Sequence, residues 1–227
     1  MSKERIIGTF GARPEKENTG LRTNHLWIIG IDIYEDPDIP NLDHPVREVQ
    51  DFRDLMLSDF QFEEKNVRFL LNENATKSGI LNGFDHYLST LTDADNLLLY
   101  FAGHGTLHTP TKRGYWLTHE SRKTDRSTFL NNSEVVDFFK NCRAHHIFGI
   151  VDSCFSGALF QTRNLAESDK RIDRFPSRWL LTAGRNEPVL DESPFAKAVL
   201  TFLKNEPAKA IWAADLCTHV MKVVPGN

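Results

Sequence analysis

The sequence predicts an α/β protein of three layers, a mainly parallel sheet with helices on both faces. Almost unbroken apolar runs at 26–31, 97–102 and 147–151 read as strands buried on both sides. Segments with apolar residues at helical spacing alternate with them, and alternation of this kind implies parallel strands joined by helical crossovers. The strands end in glycine or small polar residues, most plainly in Gly103-His104-Gly105 and in Asp152-Ser153-Cys154-Phe155-Ser156-Gly157. In open α/β sheets, the carboxyl edge is where ligands and chemistry sit.

In chain order, residues 1–24 carry mixed charge and four punctuating Gly or Pro positions, and read as a flexible or loosely docked arm. A single domain over 25–227 follows. Its first strand spans 25–32, and a loop over 34–45 is punctuated by three prolines, the last of which, Pro45, opens a helix where the missing N–H costs nothing. Val46, Val49, Phe52, Leu55 and Met56 share one face of that helix. A strand at 67–71 precedes a helix capped by Thr76, and a third strand covers 96–102. Tyr115-Trp116-Leu117 suggests a small hairpin over the sheet edge. Ser133 caps the next expected helix, which leads to the strand ending at Cys154. Residues 161–177 are polar and charge-rich, an exposed internal linker. A strand at 179–183, a helix from Pro194 and a helix over 213–224 complete the pattern.

Composition narrows the function. The 227 residues suffice for a sizeable core, and a net charge of −4 gives no electrostatic case for a nucleic-acid partner. No apolar run approaches the ~20 residues of a membrane span, so no membrane partner is expected. Three cysteines without Cys-x-x-Cys spacing suggest neither a disulfide framework nor a zinc site, and a reducing cytoplasm fits them. No cofactor or metal is expected. A nucleotide-binding reading lacks a glycine-rich phosphate loop after the first strand.

A thiol attacks only as thiolate and needs a proton-accepting neighbour. His104 suits Cys154, since both terminate buried strands on one edge, 50 residues apart. Gly105 allows close backbone approach, and its N–H with that of Cys154 would form a two-donor oxyanion hole. Taken singly, a cysteine near a strand end is usually a small buried hydrophobe and a histidine usually structural. Paired in glycine-flanked turns, they carry more weight. Cys142 and Cys217 fall in helical patterns and read as packing residues, and His145-His146 as structural.

Leu99-Tyr100-Phe101-Ala102-Gly103-His104-Gly105 and Asp152-Ser153-Cys154-Phe155-Ser156-Gly157 resemble the histidine and cysteine motifs of the caspase-like peptidases, which also space the two by about 50 residues. Asp-Ser-Cys-x-Ser-Gly is the form found in metacaspases and their bacterial relatives. The resemblance runs from His25-Leu26-Trp27-Ile28 to Ser193-Pro194-Phe195-Ala196. It implies a caspase-like fold, His104 and Cys154 as a catalytic dyad, and Gly105 as an oxyanion donor. It also implies an acidic pocket for Arg or Lys before the scissile bond. Asp152 takes the matching place, with Glu48 and Glu187 as matches near the first helix and after the fifth strand. Solvated surface charge is the alternative for Glu48 and Glu187. A protein or peptide substrate and an activating partner or regulatory domain are the partners implied.

The resemblance further matches the basic stretch 163–178 to the segment that such enzymes cut on maturation, making Arg163, Lys170, Arg171 and Arg174 self-cleavage candidates. Any exposed loop would share that charge. The chain departs from the pattern in three places. His44-Pro45 stands where metacaspases commonly carry Gly-Cys. Residues 106–113 lack the acids of a calcium site. The chain stops where the family's sixth strand should begin, as a fragment or trimmed domain would. The expected function is thus a cysteine endopeptidase cutting after Arg or Lys. A catalytically silent interaction or scaffold domain is the alternative.

Overall fold

The computed structural model describes residues 6–7, 22–154, 177–183, 193–207, 210–211 and 213–224. In chain order these form β1 (Ile6–Ile7), β2 (Thr23–Gly30), α1 (Pro45–Asp59), β3 (Val67–Leu71), α2 (Lys77–Thr90), β4 (Asp95–Ala102), β5 (Gly105–His108), β6 (Arg113–Trp116), β7 (Leu130–Asn131), α3 (Asn132–Asn141), β8 (His146–Asp152), β9 (Ser177–Thr182), α4 (Pro194–Asn205), β10 (Ala210–Ile211) and α5 (Ala213–Val223). Five parallel strands form the central sheet in the order β3-β2-β4-β8-β9. The expected α/β class is what the chain adopts.

Alternation along the strands sorts the core into two halves. Trp27, Ile29, Leu99, Phe101, Ile147 and Val151 face α2 and α3. Leu26, Ile28, Leu98, Tyr100, Phe148 and Ile150 face α1, α4 and α5. Burial of this apolar area on both sides is what holds the layers together. It also explains why the strands read as apolar runs without visible alternation.

One position is packed to the limit. Gly83 of α2 lies against Trp27, and a Cβ there would overlap Cζ2 and stand 2.5 Å from Cη2 of the indole. Alanine normally improves a helix by about 1 kcal/mol over glycine. Overpacking a rigid, fully buried indole costs about 1–3 kcal/mol and wins. Gly83→Ala should therefore lower the denaturant midpoint with m unchanged; an unchanged or raised midpoint would refute the contact.

Helix starts follow local chemistry, with two surprises. The Thr76 hydroxyl accepts the Gly79 N–H at 3.0 Å, as expected. The cap of α3 is Asn131 rather than Ser133: Asn131 Oδ1 accepts the Ser133 N–H at 2.9 Å, and Glu134 accepts the Asn131 N–H at 2.8 Å. This reciprocal capping box outcompetes a lone serine. At α1, His44 makes no side-chain cap. Asp32 Oδ1, 14 residues upstream, accepts the Val46 N–H at 2.8 Å instead.

Other boundaries move for similar reasons. β2 runs over 23–30 rather than 25–32, because the Asn24 side chain joins the sheet by accepting from Asn96 and donating to Gln61. Asp32 leaves the sheet to cap α1. Ser177, expected in the linker, opens β9 with its hydroxyl 2.7 Å from His146 Nδ1. The hairpin after His104 is wider than expected, a three-stranded antiparallel sheet β5-β6-β7. Within the expected N-terminal arm, Ile6–Ile7 pairs in parallel with Ala210–Ile211. The remaining linker residues, and with them Arg163, Lys170, Arg171 and Arg174, lie outside the described residues.

Candidate active site

The site is built by strand register. β4 and β8 pair from Asn96↔His146 to Ala102↔Asp152, a constant offset of 50 residues. The pairing carries one step further, since the Gly103 N–H donates to the Asp152 carbonyl at 3.2 Å. Continuing the same offset sets His104 level with Cys154, at the carboxyl edge where both chains leave the sheet. Cys154 is 6% exposed. Gly105 closes the arrangement: a Cβ there would collide with the Cys154 carbonyl oxygen and lie 3.1 Å from Ser153 Oγ. The two turns are therefore in direct backbone contact, and the spacing of the motifs in sequence is the register of the sheet.

His104 is held at several points. Its N–H donates to the Tyr34 hydroxyl at 2.7 Å, and its carbonyl accepts the Leu117 N–H at 2.9 Å. Its ring lies 5.0 Å from that of Tyr34, tilted by 39°. Ring Nε2 sits 2.8 Å from the Pro40 carbonyl. A carbonyl can only accept, so Nε2 carries the proton and Nδ1 keeps its lone pair. Burial draws the imidazole below its ordinary pKa, against the opposing pull of the Pro40 bond. The ring is a neutral base at pH 7. Burial also pushes the Tyr34 hydroxyl well above the phenol range, with Asp32 and Cys154 adding to it, so it remains protonated.

The loop bearing Tyr34 and Pro40 is firmly anchored. Asn41 Oδ1 accepts the Tyr34 N–H at 2.9 Å, and the Asp32 carbonyl accepts the Leu42 N–H at 2.8 Å. The segment after β6 grips its other side: Glu35 N–H donates to the His119 carbonyl at 2.9 Å, and Lys123 N–H to Asp36 Oδ2 at 2.7 Å. Sequence reasoning found His104, Gly105 and Cys154 but missed Tyr34 and Pro40. A hydroxyl-bearing aromatic three residues beyond the apolar run was the one available signal.

Two carboxylates gather on the α1 face. Asp152, 6% exposed, follows Ile150 on the same side of β8 and flanks Ala102, two residues beyond Tyr100. Glu48 lies one turn before Phe52, whose ring meets that of Tyr100 edge-on at 4.9 Å. Glu48 is half-buried, and its Oε1 accepts the Ser193 N–H at 3.2 Å. Burial drives the Tyr100 hydroxyl well above its ordinary pKa, with Asp152 and Glu48 adding to the shift. Glu187 lies outside the described residues. Cys142 is buried at the end of α3 and Cys217 half-buried in α5, both with thiols pushed up by desolvation, consistent with packing roles.

Comparison with known proteins decides the family, because the caspase-domain model of the C14 peptidases matches residues 23–217. The chain belongs to the caspase-domain family. That family consists of cysteine peptidases, and its span covers every strand of the central sheet. No curated protein matches the chain at a significant level. Among solved structures, caspase-1 from Spodoptera frugiperda is similar at a TM-score of 0.63 and 14% identity, over 94% of this chain and 83% of that one. A protein from Geobacter sulfurreducens is similar at the same TM-score and identity, over 90% of each chain. At such identity the likeness establishes the caspase-like fold. No helix among the described residues is long and apolar enough to cross a membrane.

Proposed function

We propose that this caspase-domain protein is a metacaspase-like cysteine endopeptidase that cuts after Arg or Lys, using Cys154 and His104 as its dyad. The observation that carries the proposal is the β4–β8 register, which sets His104 level with Cys154 and Gly105 against the Cys154 backbone. His104 Nδ1 takes the proton of the thiol, and the sulfur attacks the scissile carbonyl. The N–H groups of Gly105 and Cys154 receive the oxyanion. The imidazolium then protonates the leaving amine, the C–N bond breaks, and a thioester remains. Water, deprotonated by the same nitrogen, releases the acid and restores the thiol. Pro40 and Tyr34 act as positioning groups: one fixes the tautomer and the other the backbone of His104.

Asp152, Glu48 and Glu187 form the receptor for the basic side chain in this reading, guanidinium pairing bidentately with carboxylate. Arg163, Lys170, Arg171 and Arg174 then offer self-cleavage sites of the same specificity. A reducing cytoplasm keeps the thiol usable, and an activating partner or domain controls access.

Fluorogenic peptides ending in Arg, Lys or Asp test the reading. Cleavage is expected after Arg and Lys, and Asp152→Asn should cut kcat/KM for the Arg peptide about 100-fold, the worth of a charge-assisted hydrogen bond. Cleavage after Asp would overturn the acidic pocket. Absence of both turnover and Cys154 labelling by an arginine-based covalent inhibitor would favour a scaffold domain.

A further inference from the structure

The Tyr100 side chain is 1% exposed, and its hydroxyl has no hydrogen-bond partner among the described residues. An unmade hydrogen bond in the interior costs the full desolvation of the group, whereas phenylalanine would fill the same volume without that cost. The oxygen is also placed unusually. Tyr100 and Asp152 are diagonal neighbours on one face of the sheet, through the Ala102↔Asp152 register. Phe52 holds the Tyr100 ring from α1, one turn beyond Glu48. The phenol therefore belongs to the face that Asp152 shares, under the stretch of α1 that carries Glu48 and Phe52, and it is neutral because burial keeps its proton on.

We propose that Tyr100 is a specificity-determining residue whose phenol oxygen forms the floor of the pocket and accepts an N–H from a substrate guanidinium. The inference rests on the reading of Asp152 and Glu48 as a receptor for a basic side chain. A guanidinium presents five N–H donors in a rigid plane. The two carboxylates pair with its outer edges, while the inner N–H groups at the deep end need an acceptor of their own. Glu48 already takes the Ser193 N–H, which limits what it has left to give. A neutral oxygen meets the need without placing a third negative charge in a buried site. A lysine ammonium is compact and can turn its three donors to the carboxylates, so it depends less on the floor. Tyr100 thus separates Arg from Lys, a distinction that the acids alone do not make.

The test uses the full chain carrying Cys154→Ala, with and without Tyr100→Phe, and two peptides identical except for a C-terminal Arg or Lys, titrated by calorimetry. Tyr100→Phe should weaken the Arg peptide roughly tenfold, as expected for a hydrogen bond to a charged group, and the Lys peptide about twofold or less. Its melting temperature should match or exceed that of the parent, which a merely structural role would not produce. Equal binding of the Arg peptide to both proteins, or equal loss for Arg and Lys with a lowered melting temperature, would overturn the proposal. Failure of the parent to bind either peptide would overturn it through the pocket itself, an outcome distinct because it appears before Tyr100 is changed.

Discussion

Under the proposed mechanism, Cys154→Ala should abolish peptide hydrolysis while the protein remains folded. Removing a nucleophile that acts in concert with its base costs about 10⁵-fold or more in kcat, and His104→Ala should cost nearly as much. The double variant should be no worse than either single one, because the two groups act as a unit. The stability change from Cys154→Ala is small, about 1 kcal/mol, since one buried sulfur is lost. The acid limb of kcat/KM carries the same assignment. Burial lowers the His104 pKa, so the neutral base persists below the ordinary imidazole value and activity falls only as pH drops beneath about 6.5. Intact mass completes the experiment: if the proposed self-cleavage occurs, wild type should be cut within 163–174 under activating conditions and Cys154→Ala should stay whole. Residual turnover within tenfold of wild type would remove Cys154 from the mechanism.

What the sequence made legible is whatever depends on neighbours in the chain. The β4 and β8 runs announce themselves because both faces are buried, and their ends show as Gly103-His104-Gly105 and Asp152-Ser153-Cys154. Thr76 and Pro45 mark helix starts because capping acts over three or four residues. The supports of the site were illegible because they act at long range. Tyr34 meets the His104 N–H and Pro40 its ring across 70 and 64 residues. Asp32 looked like the last residue of a strand but caps a helix through space. Tyr100 looked like one more apolar strand residue, since a period-two pattern cannot tell a phenol from a phenyl ring. Only the register, with α1 laid over it, puts Tyr100 on one face with Asp152 and under the stretch of α1 that carries Glu48.

Register also explains why two ordinary residues become a candidate pair. The sheet aligns positions 50 apart, and the topology sends β2 and β4 towards helices on opposite faces, opening the edge between their loops. The loop from β2 brings Tyr34 and Pro40 to that edge, and the loop from β4 brings His104. The segment after β6 then locks the first loop from outside through His119 and Lys123. Three segments distant in sequence thus converge around His104, and the Pro40 carbonyl fixes the tautomer of its ring. In the proposed mechanism, such preorganisation would lower the reorganisation needed when the thiol gives up its proton.

Gly105→Ala is the sharpest test of that convergence, with an expected loss of about 10²–10³-fold in kcat. The cause is steric and local. The added methyl would overlap the Cys154 carbonyl oxygen, with Ser153 Oγ at 3.1 Å and the Cys154 carbonyl carbon at 3.2 Å. A flexible side chain could step aside, but a backbone carbonyl moves only with its chain, so the segments that follow β4 and β8 must separate. In the proposed site, separation would displace the Gly105 N–H from the position of the oxyanion and draw His104 away from Cys154. Overpacking of this kind also costs about 1–3 kcal/mol of stability, and the domain stays folded. The effect should therefore appear in kcat with KM nearly unchanged, because in the proposed pocket Asp152 and Glu48 would keep their hold on the substrate. A Gly105→Ala enzyme with kcat within twofold of wild type would mean that the two turns do not form one site.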